Sequence, residues 1–323
     1  MLEKLIAAVV IALIGGHVAA EDFPNRPVTI IVGVAPGGTL DALARLVAKG
    51  IAPVLNQSVV VENVTGAGGL VGMQRLARSE ADGYTLNFTN MSLVIIPHLY
   101  PKGGIDPLKG LAPVGNVATV PMVLSVSNKS GIKDLPDLLA RVKTNPGKLN
   151  FGNGGAGTTA HLSEAMFLNM MKADATLVQY RGSGPAIADL MAGTVDAVID
   201  QTVTMMPLHT DKRIKAIAVS SPHRLSQMPD VPTFAEGGVP QFDLMIWNGL
   251  VAPNNTPKPV IDKLAAALSQ VIDSPEFRDR LEQLAAEAPS PQERGPDAMR
   301  SIIERDFARV AEVVKAVGLK PNE

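Results

Sequence analysis

Cysteine is absent from the sequence. Its absence excludes disulfides, thiolate metal sites and a cysteine nucleophile together, and a chain of 323 residues can bury a core large enough to fold without cross-links. Aromatic residues are scarce as well, at 4%, whereas glycine and proline number 29 and 25. That balance disfavours a β-sandwich or a coiled coil and suits many short strand, turn and helix units. A basic surplus is also missing: Lys and Arg total 29 against 31 acidic residues, for a net charge of -2. A nucleic-acid partner would have nothing to rest on. Beyond the first twenty residues the histidines are His98, His161, His209 and His223, and no two stand at zinc-ligand spacing. Neither a metal nor a cofactor is expected.

The N-terminus reads as an address and not as core. Lys4, offset by Glu3, precedes the apolar run Leu5 to Gly16, which is too short to span a bilayer, and Val18-Ala19-Ala20 offers small residues for a signal peptidase. Residues 1–20 are therefore expected to be a signal peptide cleaved after Ala20, which places the mature protein in the periplasm. The competing reading, an N-terminal anchor, is opposed by the polar turn from Glu21 to Asn25. No later segment is long and apolar enough to span a bilayer.

What is present is an alternation of strands, glycine turns and helices. Val28 to Val32 is a β-branched strand, Gly33 to Gly38 a glycine turn, and Leu40, Leu43, Ala44, Val47 and Ile51 recur at helical spacing. The order repeats with the strand Ser58 to Val61, the turn Asn63 to Gly69 and a helix from Leu70 to Ser79, followed by the strand Tyr84 to Phe88. Parallel strands with helical crossovers make an open α/β sheet. From Val114 to Ser127 the chain becomes extended without a helical period. The alternation then resumes with a helix from Leu135, the strand Leu149 to Phe151, the turn Gly152 to Gly157 and a helix from Thr159 to Met171. Strands at Leu177 to Tyr180, Val195 to Ile199 and Ile214 to Val219 follow, with a helix from Pro185 to Ala192. Phe242 to Ala252, containing Trp247, is a second extended crossing, and helices at Pro259 to Asp273 and Asp297 to Ala316 come after it. Two crossings imply a hinge between two lobes: 21–121 with 250–323, and 122–249.

Each glycine turn joins a strand end to a helix start, where unpaired backbone N–H groups and the helix dipole attract an anion. Gly37 and Gly38, and again Gly155 and Gly157, leave the backbone open to a ligand oxygen. The bland alternative is a tight βα connection. Nucleotide binding is disfavoured, because Gly37-Gly38-Thr39 lacks the P-loop lysine and Gly66 to Gly72 sets its third glycine one place late for a dinucleotide fingerprint. Arg181 to Pro185 contains no nucleophile elbow. His161, near a helix start, has no paired nucleophile and reads as structural or ligand-contacting, and Asp200, at a strand end, as a ligand contact or a turn cap. With no acid–base pair in sight, no enzymatic activity is expected.

Several stretches taken in order resemble the substrate-binding proteins of tripartite tricarboxylate transporters, the Bordetella uptake gene family (Bug, or TctC-like). They include Pro27 to Asp41, Val59 to Asn63, Gly66 to Gly69 and Ala81 to Leu86. Further on come Pro146 to Leu149, Gly157 to Leu162, Tyr180 to Gly182, Leu190 to Gly193, Pro229 to Thr233 and Trp247 to Pro253. The resemblance spans essentially the whole mature chain. It implies a two-lobed, type II-like periplasmic binding fold with two crossing strands and a ligand cleft between the lobes, where the two glycine turns grip a small mono- or dicarboxylate. The implied contacts are Val34, Ala35, Pro36, Gly37, Gly38 and Thr39 on the first turn, and Gly155, Ala156, Gly157, Thr158 and Thr159 on the second. His161, Tyr180 and Asp200 complete the expected set, with Arg181 on the cleft wall. The implied partners are the transporter's membrane subunits, and the expected state is a monomer. The sequence departs from the common pattern at Asn153, where Ser is usual, and at Val64-Thr65, where Arg-Pro is usual. A receptor that signals to a membrane sensor, or an exported nucleotide-dependent oxidoreductase, are the alternative readings.

Overall fold

The computed structural model describes residues 23–322, so the leader and its cleavage point lie outside the described residues. Strand β1 (Val28–Val32) is flanked by β2 (Val59–Asn63) and β3 (Thr85–Asn90), both parallel to it. Helix α1 (Thr39–Leu55) follows β1 and buries Leu43, Ala44, Val47 and Ile51, the stripe that its sequence spacing puts on one face. It stops at Asn56, whose left-handed backbone (φ 51°) turns its N–H back onto the carbonyls of Ala52 and Pro53. Helix α2 (Leu70–Ala77) joins β2 to β3.

Helix α3 (Ser92–Leu99) has no counterpart in the sequence reading. Leu93, Val94, Ile95 and Ile96 are all fully buried, so the helix is apolar all round and shows no amphipathic period. Helix α7 (Thr202–Thr210) also lacks a helical stripe, since its core residues Met205 and Met206 are adjacent in sequence.

After β4 (Leu111–Val126) the chain continues with α4 (Leu135–Thr144), β5 (Asn150–Asn153), α5 (Thr159–Met171), β6 (Thr176–Gln179), α6 (Ser183–Ala192), β7 (Ala197–Gln201) and β8 (Lys215–Val219). Here β5 pairs parallel with β6 and β7.

Strand β4 (Leu111–Val126) belongs to both lobes. Up to Pro121 it pairs antiparallel with β9 (Met245–Pro253), and from Met122 it pairs with β7; β8 joins its other edge from Val123. β9 in turn pairs with β3, giving the order β2-β1-β3-β9-β4-β7-β5-β6. Register shifts at Pro113/Gly115, Asn116/Ala118 and Leu124/Ser125 mark bulges, which bend and twist a strand locally. Ser220 clips the two crossing strands at the change of partner: its Oγ accepts from Met122 N–H at 2.8 Å and donates to the carbonyl of Leu244 at 2.6 Å.

After β9 come α8 (Lys258–Asp273), α9 (Pro275–Gln283) and α10 (Gly295–Ala316). Helix α8 shares a core cluster with α1 and β1 that includes Leu264, Leu268, Leu43 and Val47. Helix α10 lies along β4 and β9, where the buried Asp306 accepts from the indole N–H of Trp247 at 2.9 Å.

Candidate ligand-binding site

The turn after β1 is held from behind by one carboxylate. Asp41, in the first turn of α1, accepts from Gly37 N–H at 3.2 Å, from Asn63 Nδ2 at 3.0 Å and from Arg45 at 2.9–3.1 Å. Burial raises its pKa, but the hydrogen bonds from Arg45, Asn63 and Gly37 outweigh burial and keep it below the usual carboxylate value. Asn63 Nδ2 also donates to the carbonyl of Val34, so the end of β2 fixes the turn after β1. With no side chain capping α1 at Gly38, the first N–H groups of this helix stay open toward the other lobe.

The turn after β5 is organised differently. Asn153 Oδ1 accepts from Gly155 N–H at 3.0 Å while its Nδ2 donates to Glu164 Oε2 at 2.9 Å. Gly155 has φ of +104°, and a Cβ there would meet the carbonyl of Tyr180 at 2.7 Å, so glycine is required. Thr158 caps α5: its hydroxyl donates to Gly155 O at 2.7 Å and accepts from His161 N–H at 3.4 Å. Glu164 is fully buried. Burial, with the nearby Asp200, raises its pKa to about 8 against the lowering effect of Asn153 and the Ile199 N–H, so it is protonated at neutral pH.

The lobes meet at these turns. Ala35 N–H donates to Arg181 O at 2.9 Å, and the hydroxyls of Thr39 and Thr204 lie 3.3 Å apart. Glycines make the approach possible: a Cβ on Gly68 would stand 2.0 Å from Ala156 O, and one on Gly184 would stand 2.3 Å from Pro36 O.

Between the lobes lies a cavity of about 20 Å³ into which five helix N-termini converge. Thr39 and Leu40 open α1, Ser92 opens α3, Thr159 opens α5, Ser183 opens α6, and Gln201 is the N-cap of α7. No Lys or Arg is among the residues that line it. The groups in the wall able to receive an anion are therefore helix ends and their N–H groups, set beside the buried Asp200. A second hollow of about 290 Å³ shares Val34 and Gly68 with the first and is bounded by Gly155, Ala156, Tyr180 and Arg181.

Of the residues expected from sequence, Val34, Gly38, Thr39, Thr158, Thr159 and Asp200 line the small cavity, and Gly155, Ala156 and Tyr180 the adjoining hollow. The Tyr180 hydroxyl donates to Asp189 at 2.5 Å; burial and that carboxylate push its pKa up to about 12. Ala35, Pro36 and Gly37 stand at the lobe contact, and Gly157 packs against Ile96 of α3. His161 lines neither hollow. It is buried within α5, where burial lowers its pKa, and Nδ1 has no partner. Sequence reading missed Gly68, Asn90, Ser92, Ser183 and Gln201, all of which line the small cavity. Polar residues closing buried strands, as in Thr89-Asn90 and Asp200-Gln201, were the available signal.

Fold and site together define a two-lobed α/β binding protein whose cleft is built from helix N-termini. Residues 43–319 match the family described as "Tripartite tricarboxylate transporter family receptor". The chain belongs to that family, whose members are solute-binding receptors and not enzymes. The solved structure of the periplasmic binding protein BugD superposes with a TM-score of 0.89 at 34% identity, covering 93% of this chain and 100% of that one. MatC from Rhodopseudomonas palustris, solved with malate, gives 0.86 at 34% identity over 90% and 100% of the two chains. Rpa4515 of R. palustris, solved with adipate, gives 0.88 at 32% identity over 93% and 100%. The type II-like two-lobed fold expected from sequence is thereby confirmed. Among the described residues no helix is long and apolar enough to cross a membrane.

Proposed function

We propose that this protein is a periplasmic receptor that closes its lobes on a small mono- or dicarboxylate and delivers it, as a monomer, to the membrane subunits of a tripartite transporter. The observation that carries this reading is the convergence of five helix N-termini on a cavity with no Lys or Arg in its wall. Such a site neutralises an anion with backbone dipoles and N–H groups. The malate and adipate held by two relatives of similar fold support a carboxylate as the ligand class.

The proposed contacts are Val34, Gly38, Thr39, Thr158, Thr159 and Asp200, extended by Gly155, Ala156 and Tyr180, with Ala35, Pro36, Gly37 and Gly157 shaping the closed contact. His161 is proposed to support the turn from within α5. A cavity of about 20 Å³ holds little more than one water, so admitting a carboxylate requires the lobes to part. The proposed lobes are 21–121 with 250–323, and 122–249. The change of partner in β4 between Pro121 and Met122 supports a hinge there. Export with cleavage after Ala20 is part of the proposal, and N-terminal sequencing of the periplasmic protein checks it.

Thermal melting against C3 to C6 mono- and dicarboxylates tests the reading, with NAD and ATP as controls. A ligand at one hundred times its Kd adds about 2.7 kcal/mol to the native state. At least one carboxylate is expected to raise Tm saturably and neither nucleotide is. A response to nucleotide alone would overturn the proposal.

A further inference from the structure

Asp200 is the one charged side chain among the described residues that line the small interlobe cavity. It is 2% exposed at the end of β7. Its Oδ1 accepts from Gln201 N–H at 2.6 Å, while Oδ2 is buried without a hydrogen-bond partner. Burial raises its pKa, and Gln201 N–H with the nearby hydroxyls of Ser183 and Thr39 acts in the lowering direction, although neither hydroxyl makes a hydrogen bond to Oδ2. Glu164 behind it holds its own proton at neutral pH and adds no compensating positive charge.

An unsubstituted carboxylate brings only acceptors into this cavity. Placed against an ionised Asp200 it sets acceptor against acceptor, with no Lys or Arg in the lining to separate them, and the Oδ2 lone pairs stay unpaired. A hydroxyl or ammonium group on the carbon chain supplies the missing donor. The helix N-termini then take the ligand carboxylate while Asp200 reads the substituent.

We infer that Asp200 is a specificity residue that selects hydroxy- and amino-carboxylates over their unsubstituted counterparts. The inference rests on the carboxylate reading of the site. It goes further by assigning the remaining polar group of the ligand.

Matched sets test it by calorimetry at pH 7: succinate, malate and aspartate; glutarate, 2-hydroxyglutarate and glutamate; propionate, lactate and alanine. In the best-binding set, a hydroxyl or amino member is expected to bind at least about tenfold more tightly than the unsubstituted one, as for a site built to hydrogen-bond a substrate group. Asp200→Asn keeps the shape and an acceptor for Gln201 N–H, and is expected to shrink that preference to less than about threefold because the charge-assisted bond is lost. Equal binding of the substituted and unsubstituted members by the wild-type protein overturns the inference without need of a variant. An Asp200→Asn protein that weakens all members alike overturns it too, because the residue would then act only on closure. Binding by none of the nine, while another C3 to C6 carboxylate raises Tm, overturns this inference alone; no response to any of those carboxylates defeats the carboxylate reading itself, and this inference with it.

Discussion

Ala35 N–H and Arg181 O form a 2.9 Å backbone hydrogen bond between the turn after β1 and the turn after β6. The two residues stand in the two proposed lobes, which β4 and β9 cross. A contact between backbones needs bare approach, and Gly68 and Gly184 provide it on either side. The closed arrangement is therefore sensitive to a single added methyl.

Gly184→Ala isolates that sensitivity. Gly184 lies in the first turn of α6 and has an ordinary negative φ, so alanine suits the helix, but its Cβ would sit 2.3 Å from Pro36 O. The variant is expected to melt no lower than wild type and to bind its ligand more weakly by about tenfold or more, equivalent to about 1.4 kcal/mol. Small-angle scattering with ligand should show less contraction than in wild type. Unchanged affinity would mean that tight lobe contact is not needed for binding.

Asp41→Asn tests the support of the first turn. The carboxylate accepts from Gly37 N–H, Asn63 and Arg45 at once, and an amide retains only one acceptor oxygen. Because the folded pKa of Asp41 lies below its ordinary value, its stabilisation is present above that value and is lost as pH falls through the folded pKa. The variant should be destabilised by about 1–3 kcal/mol at pH 7, and the gap should narrow on acidification. Urea melts at pH 7 and pH 3 measure both.

Thr158→Val probes the second turn. The hydroxyl is already engaged with Gly155 O and His161 N–H, so its removal takes away the N-cap of α5. A stability loss of about 1 kcal/mol is expected, with Thr158→Ser recovering most of it. A valine variant as stable as wild type, with only its affinity reduced, would assign the hydroxyl to the ligand instead.

Glu164→Gln reads out the buried acid. With a folded pKa of about 8 against an ordinary carboxyl value near 4.5, the folded state holds the proton more tightly than the unfolded one. Wild-type stability from this group is full below the unfolded pKa and falls as pH rises toward about 8. A glutamine loses no proton, so the variant should gain relative to wild type between pH 5 and pH 8, by on the order of 3 kcal/mol at about 1.4 kcal/mol per pKa unit. Melting curves across that range check the sign, and a widening deficit with pH would refute it.

Much of this molecule follows from sequence, because its parts are local. β1, the turn after it and the stripe Leu43, Ala44, Val47 and Ile51 on α1 are set by β-branching, glycine and a 3.6-residue period acting within a few residues. The glycine turns suggested the anion site proposed here, and the ordered stretches from Pro27 to Pro253 announced the family. Tertiary structure decided what depends on surroundings. Helix α3 is buried along Leu93 to Ile96, and a helix without a wet face leaves no amphipathic signal; α7 is short and carries the adjacent buried pair Met205-Met206 in place of a 3.6-residue stripe. That Ser183, Thr39 and Asp200 line one cavity, or that Gly184 faces Pro36, is decided by the crossing of β4 and β9, which sets two distant segments against each other. Spacing along the chain carries no record of such encounters, since cavity, closure and charge arise from the three-dimensional return of the chain upon itself.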